Sequence, residues 1–252
     1  MRVLVLLGCL LWPLALLAAP LRIGISGDYP PFNYLEQGQL RGFDVEIANA
    51  LCHTLEAECQ LIIQPWEQAI SAVQSGQIDA FISSMSITKE RQQLLDFTRP
   101  YYNSPVRFVL RKGNSMAVTP AAALQGKILA SQDQTIYADY IRAYLLPAGA
   151  KLLLVHSEED IWRAVAEGRA DAALGDVIAN QLVFSRDYGQ DLMEVGAPLS
   201  DTRYLGVGAG IAVAKGNKPL RERFDQALLA IHRSGQYGQI RSRYFNFDIW
   251  AD

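Results

Sequence analysis

The sequence predicts an α/β protein of two similar lobes, each a mostly parallel sheet flanked by helices. Three observations lead there. Short β-like runs alternate with helical patterns along the chain. A nine-residue pattern recurs 92 residues later. Polar residues gather just past the strand that follows each copy.

The first residues stand apart from the rest. Arg2 is followed by an almost unbroken apolar run, Val3 to Leu17, and then by Ala18, Ala19 and Pro20. A positive start, a short apolar segment and a small-residue exit form the pattern of a secretory signal. Residues 1–19 are therefore expected to be removed on export, leaving a periplasmic protein. A bilayer span takes about 20 apolar residues, so a retained anchor is the weaker alternative. Cys9 is not read as a lipid-attachment site, because cutting there would leave the apolar run on the mature chain.

The 252 residues are half hydrophobic, enough for one or two ordinary cores. Without Arg2, 22 basic face 26 acidic residues, a formal charge of −4. No basic stretch stands out, so nucleic acid is not an expected partner. A soluble protein that binds something small suits this balance.

The elements follow in order. Leu21 to Ser26 reads as a strand. Phe43 to Leu55 reads as a helix, with Val45, Ile47, Ala48, Leu51 and Leu55 on its apolar face. Leu61 to Gln64 is a strand, and Trp66, Ala69, Ile70 and Val73 fall at helical spacing. Ile78 to Ile82 reads as a buried strand. Lys127 to Ala130, Leu152 to Val155 and Ala172 to Leu174 are strand-like, with helices between them. Asn217 suits the N-cap of a helix reaching Arg233, with Pro219 in its first turn and an apolar stripe of Leu220, Phe224, Ala227, Leu228 and Ile231.

Beyond the leader only Cys52 and Cys59 remain, and an oxidising compartment favours pairing them over two free thiols. On one continuous helix they would stand about 10.5 Å apart. A disulfide needs Cα atoms within about 7 Å. The helix should therefore end near Leu55 and the chain fold back through Glu56-Ala57-Glu58. Two cysteines without nearby histidine pairs do not make a zinc site, and neither metal nor cofactor is expected.

The recurring pattern is A-V-x-x-G-x-x-D-A, at Ala72 to Ala80 and again at Ala164 to Ala172. Each copy reads as a helix end, a glycine stop, a tight turn and a strand. The spacing is too long for a solenoid unit and suits two lobes of similar build. Past the first copy come Ser83, Ser84, Ser86, Thr88 and Arg91; past the second come Gly175 and Asp176. Ser84 and Asp176 each lie five residues after the pattern's aspartate. In open α/β sheets ligands bind outside the carboxyl ends of strands. If the two edges face each other, hydroxyls and a cation oppose a carboxylate.

That pairing matches an amino-acid zwitterion. Arg91 can hold a carboxylate through two parallel hydrogen bonds, and Asp176 can accept from an ammonium. The serines and Thr135 can add polar contacts, and Tyr29 and Trp66 can flank a side chain. Each residue also has a structural reading. Arg91 can be a surface charge, Asp176 a cap for a helix from Val177 to Phe184, and the serines turn residues. Trp66 and Tyr29 can be packing aromatics.

The chain from about Leu21 onward resembles the periplasmic solute-binding proteins for polar amino acids that serve ABC importers, above all the lysine/arginine/ornithine- and histidine-binding proteins. The residues that carry the likeness are Arg22-Ile23-Gly24, Tyr29-Pro30-Pro31-Phe32, Gly42-Phe43-Asp44-Val45, Ile78-Asp79-Ala80, Ser83 to Thr88, Arg91-Gln92-Gln93 and Tyr244-Phe245. The resemblance implies a Cys52–Cys59 disulfide, as in the basic-amino-acid binders. It also implies the type II two-lobed fold: lobe one from residues 20–105 and 207–252, lobe two from 106–206, with two crossing strands as hinge. By the same likeness, Arg91 clamps the ligand's α-carboxylate, Asp176 takes its α-ammonium, Ser84 and Ser86 add polar contacts, and Tyr29 and Trp66 stack on its side chain. Thr135 matches a carboxylate-binding loop residue. The expected protein is a monomer that closes on a free amino acid and docks on a membrane permease.

Two departures stand out. Basic-amino-acid binders carry an aspartate where this chain has Ser26, which argues against a strong preference for Lys or Arg unless Asp28 substitutes. Their loop before the threonine has a glycine where this chain has Gln134. Ser26 to Phe32 also resembles cyclohexadienyl dehydratases of the same fold, but Ala179 stands where that group has its glutamate acid, and dehydration without a placed acid loses its proton donor. A soluble ligand sensor acting through a receptor is the third reading; no membrane-spanning pattern follows the last helix, so a built-in receptor is not expected.

Overall fold

A computed structural model describes residues 19–251. The expected leader, apart from residue 19, and Cys9 with it, lie outside the described residues.

Two five-stranded sheets organise the chain. The first begins with β1 (Leu21–Ile25). A small three-stranded sheet follows, made of β2 (Asp28–Tyr29), β3 (Asn33–Glu36) and β4 (Gln39–Arg41). Helix α1 (Phe43–Thr54) leads to β5 (Cys59–Ile63), α2 (Ala69–Gln74), β6 (Ala80–Phe81), α3 (Arg91–Leu94) and β7 (Leu95–Tyr102). The chain then crosses into the second sheet. There it forms β8 (Val106–Arg111), β9 (Ile128–Gln132), α4 (Ile136–Tyr140), β10 (Lys151–Val155), α5 (Glu158–Ala166), β11 (Ala172–Asp176), α6 (Val177–Val183) and β12 (Leu192–Leu199). It returns to the first sheet as β13 (Ala209–Ala214), and α7 (Lys218–Arg233) and α8 (Gln236–Arg241) close the fold.

The sheet orders are β5-β1-β6-β13-β7 and β10-β9-β11-β8-β12. In each sheet four strands share one direction and one runs against its neighbours. The reversed strands are β13 and β8, the two that have just crossed from the other sheet. Every strand reached through a helical crossover is parallel, as right-handed βαβ connections require.

The recurring pattern has the same task in both halves. Asp79 accepts a hydrogen bond from the backbone N–H of Arg22 at 2.8 Å, and Asp171 does so from the N–H of Ile128 at 2.8 Å. Each aspartate thus pins the start of the strand beside it. Arg22 itself adds an ion pair to Asp79, as Lys127 does to Asp171. The glycines of the pattern, Gly76 and Gly168, sit at φ +71° and +78° and let the helix stop and turn.

Helix α1 ends as its chemistry demands. Leu55 caps it, Glu56 takes φ +50°, and Cys52 and Cys59 are disulfide-bonded with Cα atoms 6.1 Å apart. The strand after the turn therefore opens at Cys59, two residues before the expected start. The strand expected from Ile78 to Ile82 narrows to β6, although Asp79 and Ile82 still bond to the carbonyls of Arg22 and Gly24. Helix α7 runs from an Asn217 cap to Arg233, and its five stripe residues are all buried. Each large member contributes about 1.5–3 kcal/mol by leaving water.

Replacing Asp79 or Asp171 by alanine removes the charged acceptor of a half-buried strand N–H, so each change should lower unfolding stability in urea by about 1–3 kcal/mol. A loss below about 0.5 kcal/mol at either site would show that water replaces the carboxylate there.

Candidate functional site

The facing sheet edges enclose a cleft lined by residues of both sheets. Every residue singled out in the sequence lines it: Ser26, Tyr29, Trp66, Ser83, Ser84, Ser86, Arg91, Thr135 and Asp176. The first seven come from the β1 and β6 side, and Thr135 and Asp176 from the ends of β9 and β11.

The wall on the β1 side rests on a buried carboxylate. Asp44, fully buried at the start of α1, accepts hydrogen bonds from Asn33 Nδ2 (2.8 Å), Ser84 Oγ (2.8 Å) and the Tyr101 hydroxyl (2.7 Å). Asn33 Oδ1 in turn accepts from Ser26 Oγ and the Gly27 N–H, and Ser26 meets Ser83 Oγ at 2.8 Å. Tyr101 also receives the Ser84 N–H, which holds Ser84 at φ +57°. Helix α1 reaches this place because Gly42, at φ +117°, lets the carbonyls of Pro31 and Phe32 accept the N–H groups of Phe43 and Asp44. A Cβ on Gly42 would collide with the Phe32 carbonyl. Burial pushes the Asp44 carboxyl up to about 6 against these hydrogen bonds.

Arg91 is only 6 % exposed. Its guanidinium donates to the carbonyls of Ser86 (3.1 Å) and Gln134 (2.9 Å) and lies 5.2 Å from the Trp66 ring centre. Burial lowers it to about 10. The surface-charge reading of Arg91 therefore fails, and Trp66, which also packs on Phe81, lies under this guanidinium. Gln134 stands at φ +58°, so it adopts the backbone a glycine would, and turns its carbonyl to Arg91 across the cleft. Thr135 spends its hydroxyl locally: it accepts from the Ala138 N–H, bonds to the Gln132 carbonyl and meets Ser131 Oγ at 3.1 Å.

Asp176 is 7 % exposed and fills both readings at once. Its Oδ1 accepts from the N–H groups of Ile178 (2.7 Å) and Ala179 (3.1 Å), capping α6, and from Ser104 Oγ (2.6 Å). Its other oxygen, Oδ2, makes no hydrogen bond among the described residues. Burial raises this carboxyl to about 6. Tyr29, Tyr102 and Tyr137 share the cleft with it, and Tyr29 stacks on Phe32 with ring centres 5.3 Å apart.

Three contributors escaped the sequence reading. Asp44 was visible only as part of a family motif. Glu158, first residue of α5 after the Ser157 cap, lines the cleft opposite Asp28. Its carboxyl is pushed well above the usual range by burial and by the charges of Asp28 and Asp176. Gln132 donates to Glu67 at 2.8 Å, a second link between the two sides.

Residues 21–247 match the bacterial extracellular solute-binding proteins, family 3. The chain belongs to this family. It is 39 % identical over 234 residues to the L-arginine-binding protein of Pseudomonas aeruginosa, covering 92 % of this chain and 90 % of that one. It is 30 % identical over 233 residues to the histidine-binding periplasmic protein of Salmonella typhimurium, covering 92 % and 89 %. An ancestral arginine-binding protein bound to arginine superposes with a TM-score of 0.83 at 28 % identity, over 91 % of this chain and all of that one.

The buried carboxyls of this solute-binding protein make its stability depend on pH. A carboxyl raised on folding adds stability below its unfolded value and loses it as pH climbs through the folded one. For Asp44 and Asp176 that window runs from 3.8 to about 6. Carboxyls held low, such as Asp96 by Lys215 and Asp133 by Arg142, titrate below it and do not cancel the effect. The ligand-free protein should melt at a higher temperature at pH 5 than at pH 7, and Asp44→Asn should shrink that difference in a thermal scan, with Asp176 supplying the remainder.

Proposed function

We propose that this protein captures a free amino acid with a positively charged side chain, arginine foremost, outside the cytoplasm and delivers it to an ABC importer. One observation carries the reading: a buried guanidinium that forms no ion pair among the described residues, and a buried carboxylate with one oxygen unbonded among them, line one cleft from opposite sides. An α-carboxylate on Arg91 and an α-ammonium on Asp176 complete both. The ligand's charge also follows from the lining, which holds the carboxylates of Asp28, Glu158 and Asp176 but Arg91 as its one cation. After the α-groups pair, negative charge remains. The arginine-binding relative supports the same choice. Ser26 does not oppose it, because its hydroxyl is engaged with Asn33 and Ser83.

In this reading residues 20–105 and 207–252 form the lobe that is met first, and 106–206 the lobe that closes on it, through the two segments feeding β8 and β13. The ligand's stronger interaction with the closed state drives the shift. The mature protein works as a periplasmic monomer after losing residues 1–19. The dehydratase alternative has nothing to stand on at its acid position, where Ala179 is fully buried.

Calorimetric titration with arginine, lysine, ornithine, histidine, glutamine and prephenate tests this directly. Arginine should bind most tightly, and prephenate should give no heat. Breaking a buried ion pair costs about 3–5 kcal/mol, so Arg91→Ala and Asp176→Asn should each weaken binding by roughly 100-fold or more. Undiminished binding by Arg91→Ala would remove the carboxylate clamp. Loss below about tenfold in Asp176→Asn would leave that residue a helix cap alone.

A further inference from the structure

Resting on the cationic-ligand reading, we infer that Glu158 is the residue that selects a guanidinium, received between it and Asp28 on the opposite side of the cleft. At the end of β1 the cleft presents Ser26, bonded to Asn33 and Ser83 and carrying no charge for a side-chain cation. That hydroxyl is spent inside the Asn33 network, so the receptor must lie elsewhere.

The cleft offers one place. Glu158 is set by the turn before it: Ser157 caps α5, accepting from the Asp160 N–H at 3.2 Å and bonding to the Asp160 carboxylate at 2.8 Å. This fixes the first helical residue against the lining made by Ile161 and Trp162. Glu158 feels the charges of both Asp28 and Asp176. Arg91 does not relieve them, because its guanidinium is held by two carbonyls and the Trp66 face. Asp176 itself caps α6 through Oδ1 and leaves Oδ2 without a hydrogen bond among the described residues.

Two carboxylates on opposite walls suit a planar cation better than a point charge. A guanidinium presents five N–H donors along several edges and can engage two carboxylates at once. A lysine or ornithine ammonium has three donors on one atom and a tighter hydration shell. The two acids also come from different lobes, so the side-chain cation bridges the cleft as the α-groups do. Selectivity is thereby tied to closure.

The test measures arginine, lysine and citrulline affinity in the wild type, Glu158→Gln and Asp28→Asn, with the melting temperature of each ligand-free variant. Citrulline has arginine's shape without its charge. In Glu158→Gln the preference for arginine over citrulline should fall at least tenfold, with citrulline affinity changed less than about threefold. The ligand-free variant should melt no lower than the wild type, because a carboxylate crowded by the charges of Asp28 and Asp176 has been removed. Asp28→Asn should shift the preference in the same direction. An equal loss for arginine and citrulline would make Glu158 a packing residue and overturn the inference, as would an unchanged preference. A wild type that binds a neutral amino acid better than arginine would overturn the cationic reading itself, which separates the two failures.

Discussion

A guanidinium buried without an ion-pair partner among the described residues is the constraint around which this cleft is built. Taking a charge out of water costs several kcal/mol even after relaxation, and carbonyl dipoles recover only part of it. Arg91 is given two carbonyls and an indole face. Those groups in turn dictate much around them. Trp66 must stand beside the helix that carries Arg91. Gln134 must accept a left-handed backbone so that its carbonyl turns inward. Thr88 takes the Arg91 N–H at 3.2 Å and fixes where α3 begins. An anionic group brought to this cation completes an environment already arranged for it, with little reorganisation.

The same wall of the cleft shows how a lobe can be prepared in advance. Asp44 never needs to touch a ligand to matter. It gathers Asn33, Ser84 and Tyr101 into one connected network in which each bond orients the next. Satisfied networks of this kind rigidify, and half-satisfied ones are costly. The loops after β1 and β6 are thus held in their binding shape before anything arrives, which lowers the ordering cost of association.

Much of this was legible in the sequence where local chemistry decides the outcome. The recurring A-V-x-x-G-x-x-D-A pattern pointed to matching lobes, and its aspartates proved to hold equivalent strand starts. The spacing of Cys52 and Cys59 required α1 to stop at Leu55, and Asn217, Pro219 and the stripe to Ile231 described α7. What stayed hidden depends on distance along the chain. Asp44 meets Tyr101 from 57 residues away, and Gln132 meets Glu67 from 65. Glu158 looks in sequence like one of several acids in the first turn of an ordinary helix, beside Glu159 and Asp160. Only the facing of the two sheets reveals which of the three looks into the cleft. Trp66 shows the converse: aromatic character was visible, but not that its neighbour would be Arg91.

The hydrogen bond from Gln132 to Glu67 has a consequence of its own. Gln132 also donates to the His156 carbonyl at 3.0 Å, so its amide is held in place from its own side and its bond to Glu67 ties the cleft's two sides together. Such a tie contributes the same amount whatever lies between the two sides. It scales the strength of binding for all ligands alike and leaves their ranking untouched. A tie of this kind lets overall grip change without disturbing the ranking of ligands.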